Sequence, residues 1–102
     1  MGIHYGNGLG LLYDKEIEKP IAKVSYQLIE TDPTKYTKKK WWGEFSTSKE
    51  LRRTGNYTIE LEDGRKGDCV VFTNSELKQG HASHYFYHFN GRSTLGRLLS
   101  SG

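Results

Sequence analysis

The chain is poor in cysteine, proline and long apolar runs. Cys69 is the only cysteine among 102 residues, so no intrachain disulfide can form, and we expect a reducing compartment, most simply the cytoplasm. No apolar stretch approaches the ~20 residues needed to cross a bilayer. The N-terminus also lacks the charged and then apolar pattern of a signal peptide. The sequence therefore predicts a protein without a membrane segment.

Apolar residues are scarce as well, at 34% of the chain, but seven Tyr, four Phe and two Trp supply bulk. Large rings can fill a small core with few residues. A chain of 102 residues fits one domain, 1–102, with residues 1–8 and 93–102 as candidate flexible tails. We expect a folded domain with a thin core.

Motifs for catalysis or cofactor binding are weak. The G-x-G-x-G run at residues 6–10 lacks the preceding strand and following helix of a phosphate-binding loop, so no cofactor is predicted. Cys69 lies in a β pattern, where a lone cysteine is usually a small core residue. Four carboxylates around a predicted hairpin could do acid–base work, but an acidic turn and a charged outer sheet face explain them without chemistry: Glu60, Glu62, Asp63 and Asp68.

Three histidines, His81, His84 and His88, would share one face of a helix and could then bind a metal. On a strand, His84 and His88 lie roughly 13 Å apart along the chain. Metal ligands sit about 2 Å from the ion, so this separation is too large for one site. The surrounding aromatic segment reads as a strand, and a metal protein or small enzyme centred on these residues is the third of three functional hypotheses.

Most segments show the two-residue alternation of strands. Residues 8–14 are a weak first strand and 21–30 a clear second, with Ala22, Val24, Tyr26 and Leu28 on one face. Residues 41–47 form a third strand, and 82–89 form the last, with Tyr85, Tyr87 and Phe89 on one face.

Two further elements lie between these strands. Thr47 and Glu50 have the spacing of a capping box, which with Gly55 predicts a short helix at roughly 48–54. Residues 57–72 predict a hairpin. A two-residue turn at Asp63-Gly64 would place Ile59 opposite Asp68. A four-residue loop, 63–66, would place Ile59 opposite Val70, and we prefer it because it gives one apolar face.

Together these elements predict an all-β fold, a small antiparallel barrel or curled sheet of five to six strands with one short helix. Closing the sheet would remove unpaired edges. Over residues 9–73 the order of three strands, a helix and two strands resembles the OB-fold. That resemblance implies an OB-like barrel, and SH3-like and other six-stranded barrels are the alternatives.

The basic residues are concentrated in one stretch. Residues 35–53 contain seven Lys or Arg against Glu44 and Glu50, a net charge of +5. Such a stretch favours an anionic partner, although a solvated loop would look the same.

Within that stretch, Trp41 and Trp42 are adjacent, so on a strand they must point to opposite faces. Trp41 shares its side with Phe45, which predicts Trp41 in the core and Trp42 outside, beside the lysines. Bases stack on exposed rings while cations neutralise phosphates. We therefore predict a non-catalytic module that binds single-stranded nucleic acid. Its candidate residues are Lys38, Lys39, Lys40, Trp42, Arg52, Arg53, Tyr36, Arg65 and Lys66. A protein- or peptide-interaction domain acting by strand addition is the second hypothesis.

Overall fold

Alternating apolar residues become the inner faces of six strands in the computed structural model, which describes residues 2–14, 19–51, 54–73 and 84–96. The strands are β1 (Ile3–Asp14), β2 (Pro20–Thr31), β3 (Trp41–Thr47), β4 (Gly55–Glu60), β5 (Lys66–Thr73) and β6 (Tyr85–Gly91). None of the described residues belongs to a helix long and apolar enough to cross a membrane.

The strands close into a barrel in the spatial order β1-β2-β3-β6-β5-β4, and every neighbouring pair is antiparallel. β4 returns to lie beside β1 after the β1-β2-β3 meander, which is a Greek key. The predicted small antiparallel barrel is confirmed. It has six strands, whereas the OB-fold has five.

The predicted helix over 48–54 is wrong, because no described residue of that segment is helical. Arg52 and Arg53 lie outside the described residues. Tertiary contacts override the local capping signal here: the Leu51 N–H donates to the Tyr87 hydroxyl at 2.9 Å, and the Leu51 side chain is buried in the core. Gly55 has a φ of +133° and opens β4.

The predicted faces of β2, β3 and β6 are confirmed by burial. Val24, Tyr26 and Leu28 of β2 point inward, and Ala22 packs against the core. β3 buries alternate residues, with Trp41 4% and Phe45 2% exposed, and β6 buries Tyr87 and Phe89. The rings cluster: Phe45 lies 5.5 Å from Tyr87 and 6.0 Å from Phe89, and Trp41 lies 6.1 Å from Phe89, between centroids.

Both candidate registers of the β4–β5 hairpin are wrong. Ile59 pairs with Gly67 and Tyr57 with Cys69, so the inner face of β5 carries Cys69 and Val71. The Leu61 N–H donates to the Arg65 carbonyl at 2.8 Å, which leaves a three-residue loop, 62–64. Gly64 takes a φ of +93° there, as three-residue loops require at their last position.

β1 is longer than predicted. It begins at Ile3, so residues 3–8, expected to form part of a tail, pair with β2. At the other end, Gly96 forms a bridge with Lys66, which holds residues 92–96 against the barrel.

Candidate nucleic-acid interface

The loop that carries the lysines, residues 32–40, is closed by hydrogen bonds at its base and tip. At the base, the Thr31 N–H donates to the Lys40 carbonyl at 2.9 Å and the Lys40 N–H to the Thr31 hydroxyl at 3.1 Å. At the tip, the Thr34 hydroxyl accepts the N–H groups of Tyr36 (3.1 Å) and Thr37 (2.9 Å). Tyr36 is 92% exposed on this turn. The loop therefore presents its side chains from a defined backbone.

The segment after β6 is positioned by the buried Trp41. The Trp41 indole N–H donates to the Ser93 carbonyl at 2.8 Å. Its ring lies directly over Gly67 and Gly91, where a Cβ atom at Gly91 would collide with the ring. Because Trp41 begins the strand that follows the lysines, this contact fixes residues 92–95 beside the lysine loop.

Between the lysine loop and residues 90–95 lies an open groove of about 490 Å³, here called the lysine groove. Among the described residues its lining contains four cations and no carboxylate. The charged lining residues are Lys38, Lys39, Lys40 and Arg92. Arg92 was not predicted, since it lies far along the chain and reaches the lysines only through the pairing of β3 with β6.

Trp42 lies on the outer face of β3, as predicted, and its side chain is half-buried. It borders the lysine groove and also a second groove of about 550 Å³ on the outer face of the sheet, here called the sheet groove. Side chains from four strands line the sheet groove, including Tyr5, Gln27, Glu44 and His88. One ring is thus shared by a basic groove and a groove with polar hydrogen-bonding groups.

Strand register arranges the outer face in rows. One row runs across five strands through directly opposed residues and is here called the Trp42 row: Tyr5, Ile29, Trp42, Asn90 and Val70. In the adjacent row, His88 stacks against Phe72 with ring centroids 5.5 Å apart. Rings on a sheet face can serve as platforms on which single-stranded bases stack, and the Trp42 row contributes two, Tyr5 and Trp42.

Not all of the lysine charge is free. Glu30 accepts two hydrogen bonds from Arg65, at 2.8 and 3.1 Å, and pairs with Lys39 at 3.1 Å. The Arg65 guanidinium, and then Lys39, hold the pKa of Glu30 below its usual value despite partial burial. Lys38 and Lys40 have no ion pair among the described residues, so they and Arg92 are the available charges of the groove.

The other predicted cations are placed differently. Glu30, and then Asp63, accept hydrogen bonds from Arg65; both carboxylates raise the pKa of Arg65 and balance its positive charge. The Lys66 ammonium lies 4.4 Å from the centroid of the Tyr13 ring. Neither Arg65 nor Lys66 lines the lysine groove. Arg52 and Arg53 fall outside the described residues.

Groups that could serve catalysis or metal binding are dispersed or engaged. No cluster of three or more His, Cys, Asp or Glu side chains with metal-binding geometry occurs within residues 2–14, 19–51, 54–73 and 84–96. His81 is outside those ranges, and His88 lies 3.7 Å from Glu44. Burial, and then the neighbouring Asp68, raises the pKa of Cys69 to about 12, so its thiol is a poor nucleophile.

The acidic residues near the hairpin also have partners. Glu60 accepts from the Tyr13 hydroxyl at 2.9 Å, which raises the pKa of that phenol. Glu62 accepts the Leu9 N–H, and Asp68 accepts the Thr58 hydroxyl, both at 2.8 Å.

Comparisons of the chain with protein-family models, with curated proteins and with solved structures gave no match.

Proposed function

We propose that this protein is a non-catalytic module that binds single-stranded nucleic acid across the lysine groove and the outer face of Trp42. The observation that carries the proposal is the position of Trp42. Its half-buried ring borders a groove whose described lining has four cations and no carboxylate. Ring and charge side by side are what a single strand requires, since each nucleotide offers a flat base and a phosphate.

In this mechanism the cations and the ring have separate tasks. Lys38, Lys40 and Arg92 neutralise phosphates along the lysine groove and release bound counterions. Trp42 stacks a base that has left the helical stack. Lys39 contributes less, because its ammonium already pairs with Glu30 at 3.1 Å. A duplex keeps its bases stacked on each other, so it gains nothing from the ring and binds through charge alone.

The first test is tryptophan fluorescence during titration with short single-stranded DNA and RNA. Stacking on Trp42 should quench the emission of the wild-type protein. In a Trp42→Phe variant the remaining indole is Trp41, which is 4% exposed and should respond little. Quenching that survives in Trp42→Phe would contradict stacking on this ring, and a duplex of equal length should quench less than a single strand.

The second test separates charge from stacking. Trp42→Ala should weaken binding by ~1–3 kcal/mol if a base stacks there. Lys38→Ala combined with Lys40→Ala should weaken binding mainly at low salt. A matched control is the pair Lys19→Ala and Lys23→Ala, two exposed lysines that do not line the lysine groove. Equal losses from both lysine pairs would mean that only overall charge matters.

A further inference from the structure

The N-terminal half of β1 forms an open sheet edge. Among the described strands, residues 3–10 pair with β2 only, and β4 pairs with β1 only at residues 11–14. The N–H and C=O groups of alternate residues point to the same side of a strand. The Gly2 carbonyl points toward β2 and accepts the backbone N–H of Asp32. The Leu9 N–H points away from β2 and donates to the Glu62 carboxylate. The backbone N–H and C=O groups of Ile3, Tyr5 and Asn7 therefore point away from β2, within the plane of the sheet. The described residues supply no partner for them there.

Within the described part of the chain, this edge lacks the usual protection against pairing with another chain. Charged side chains, proline or a covering loop normally block exposed edges. Residues 3–13 contain no Lys, Arg, Asp, Glu or Pro. By contrast, residues 20–24 of β2, which pair with β1 but not with β3, carry Pro20 and Lys23, and the Lys49 ammonium donates to the Ile21 carbonyl there.

The exposed apolar residues are concentrated on the same edge. Five large apolar residues are classed as exposed in the described part of the chain, and three lie at odd positions of β1: Ile3 (56%), Tyr5 (76%) and Leu9 (71%). An open edge without Lys, Arg, Asp or Glu and with an apolar outer face is a template for an added strand.

We propose that this edge pairs with the same edge of a second copy of the chain, antiparallel about a two-fold axis at Tyr5. The Leu9 N–H is already bonded to Glu62 beside the hairpin loop, so the available edge ends at Asn7. The centre of the remaining five residues, 3–7, is Tyr5 itself. Tyr5 then faces Tyr5 of the second copy and Ile3 faces Asn7, and each such pair exchanges two backbone hydrogen bonds.

A second copy fits this edge better than an unrelated segment does. An antiparallel edge is complementary to itself under two-fold symmetry, so the same residues serve both sides. The incoming strand is already extended and ordered by β2, which removes the entropy cost that a flexible peptide would incur on binding. Residues 3–7 contain no Lys, Arg, Asp or Glu, and His4 is paired with Asp32 at 2.9 Å, so pairing two copies brings no unpaired like charges together.

Such a dimer would also extend the Trp42 row. Tyr5 ends that row, so the rows of two copies would join at the dyad. The two Trp42 rings would then be five strand spacings apart, about 24 Å at 4.8 Å per spacing. The pairing itself does not depend on nucleic-acid binding.

Cysteine cross-linking tests both the partner and the register. In the proposed pairing the two Tyr5 Cα atoms are about 5.5 Å apart, a separation that a disulfide can span. A Tyr5→Cys variant should form a linked dimer under mild oxidation. Ile3→Cys should not, since the two substituted positions would be offset by four residues, roughly 13 Å. The natural Cys69 is buried and leaves the background low.

Sedimentation of the wild-type protein over a concentration series tests the equilibrium. Tyr5→Lys places two ammonium groups opposite each other and should weaken dimerisation by about tenfold or more. Tyr36→Lys is the matched control, because Tyr36 is 92% exposed but lies on the lysine loop. A wild type that remains monomeric into the millimolar range overturns the proposal. A dimer that survives Tyr5→Lys, or that Tyr36→Lys also disrupts, overturns it equally.

Discussion

The two adjacent tryptophans should respond in opposite ways to truncation. Trp41→Ala empties the space over Gly67 and Gly91 and removes the donor that holds the Ser93 carbonyl at 2.8 Å. Large-to-small changes at buried tryptophan cost ~3–5 kcal/mol. In a domain of this size that loss corresponds to a fall in Tm of roughly 12–40 °C. Trp42→Ala removes only a half-buried outer ring and should cost about 1 kcal/mol.

Thermal and urea melts of both variants measure this difference directly. Trp41→Phe provides an intermediate case, because it keeps an aromatic ring but loses the hydrogen bond to Ser93. Its stability should fall between that of the wild type and that of Trp41→Ala. If Trp42→Ala were more destabilising than Trp41→Ala, the assignment of core and outer faces on β3 would be refuted.

Three further measurements test other parts of the barrel. Gly64→Ala should cost ~1–3 kcal/mol in melts, because φ is +93° at that position, whereas wild-type stability in that variant would refute the hairpin geometry. Glu30 has a lowered pKa in the folded state. Its contribution to folding stability is therefore fully present above the ordinary glutamate pKa of about 4.3, and it is lost as the pH falls through the pKa of the folded state. Glu30→Gln should therefore be less stable than wild type at neutral pH and show a flatter acid limb; parallel acid limbs would contradict the Arg65 pairing. Cys69, with its pKa raised to about 12, should resist thiol reagents at neutral pH until the protein is unfolded, and rapid labelling of the native protein would show that the barrel is open there.

The faces of β2, β3 and β6 were predictable because apolar and polar residues alternate there with little ambiguity. The register of β4 and β5 was not, because residues 69–72 are all apolar and either face of β5 could have been the inner one. The structure buries Cys69 and Val71 and leaves Phe72 38% exposed. The larger side chains favoured an inner face with Val70 and Phe72. The three-residue loop that ends at Gly64 sets the register that buries Cys69 and Val71 instead.

The predicted helix failed for a different reason. The capping-box pattern at Thr47 and Glu50 is a local signal worth about 1 kcal/mol, and burial of Leu51 outweighs it. Long-range contacts also explain why one residue of the candidate site was not predicted. Arg92 reaches the lysine groove only because β6 pairs with β3 and Trp41 binds Ser93, contacts that no local pattern encodes.

The salt dependence of single-strand binding tests the central claim most directly. Three available cations, Lys38, Lys40 and Arg92, at about 0.7 counterions per contact, predict a slope of about −2 for log affinity against log salt. Release of Lys39 from Glu30 would bring the slope to about −2.8. We expect wild-type binding of a short single-stranded oligonucleotide at low salt with a slope in that range. Absence of binding at low salt, or a slope near zero, would contradict the account.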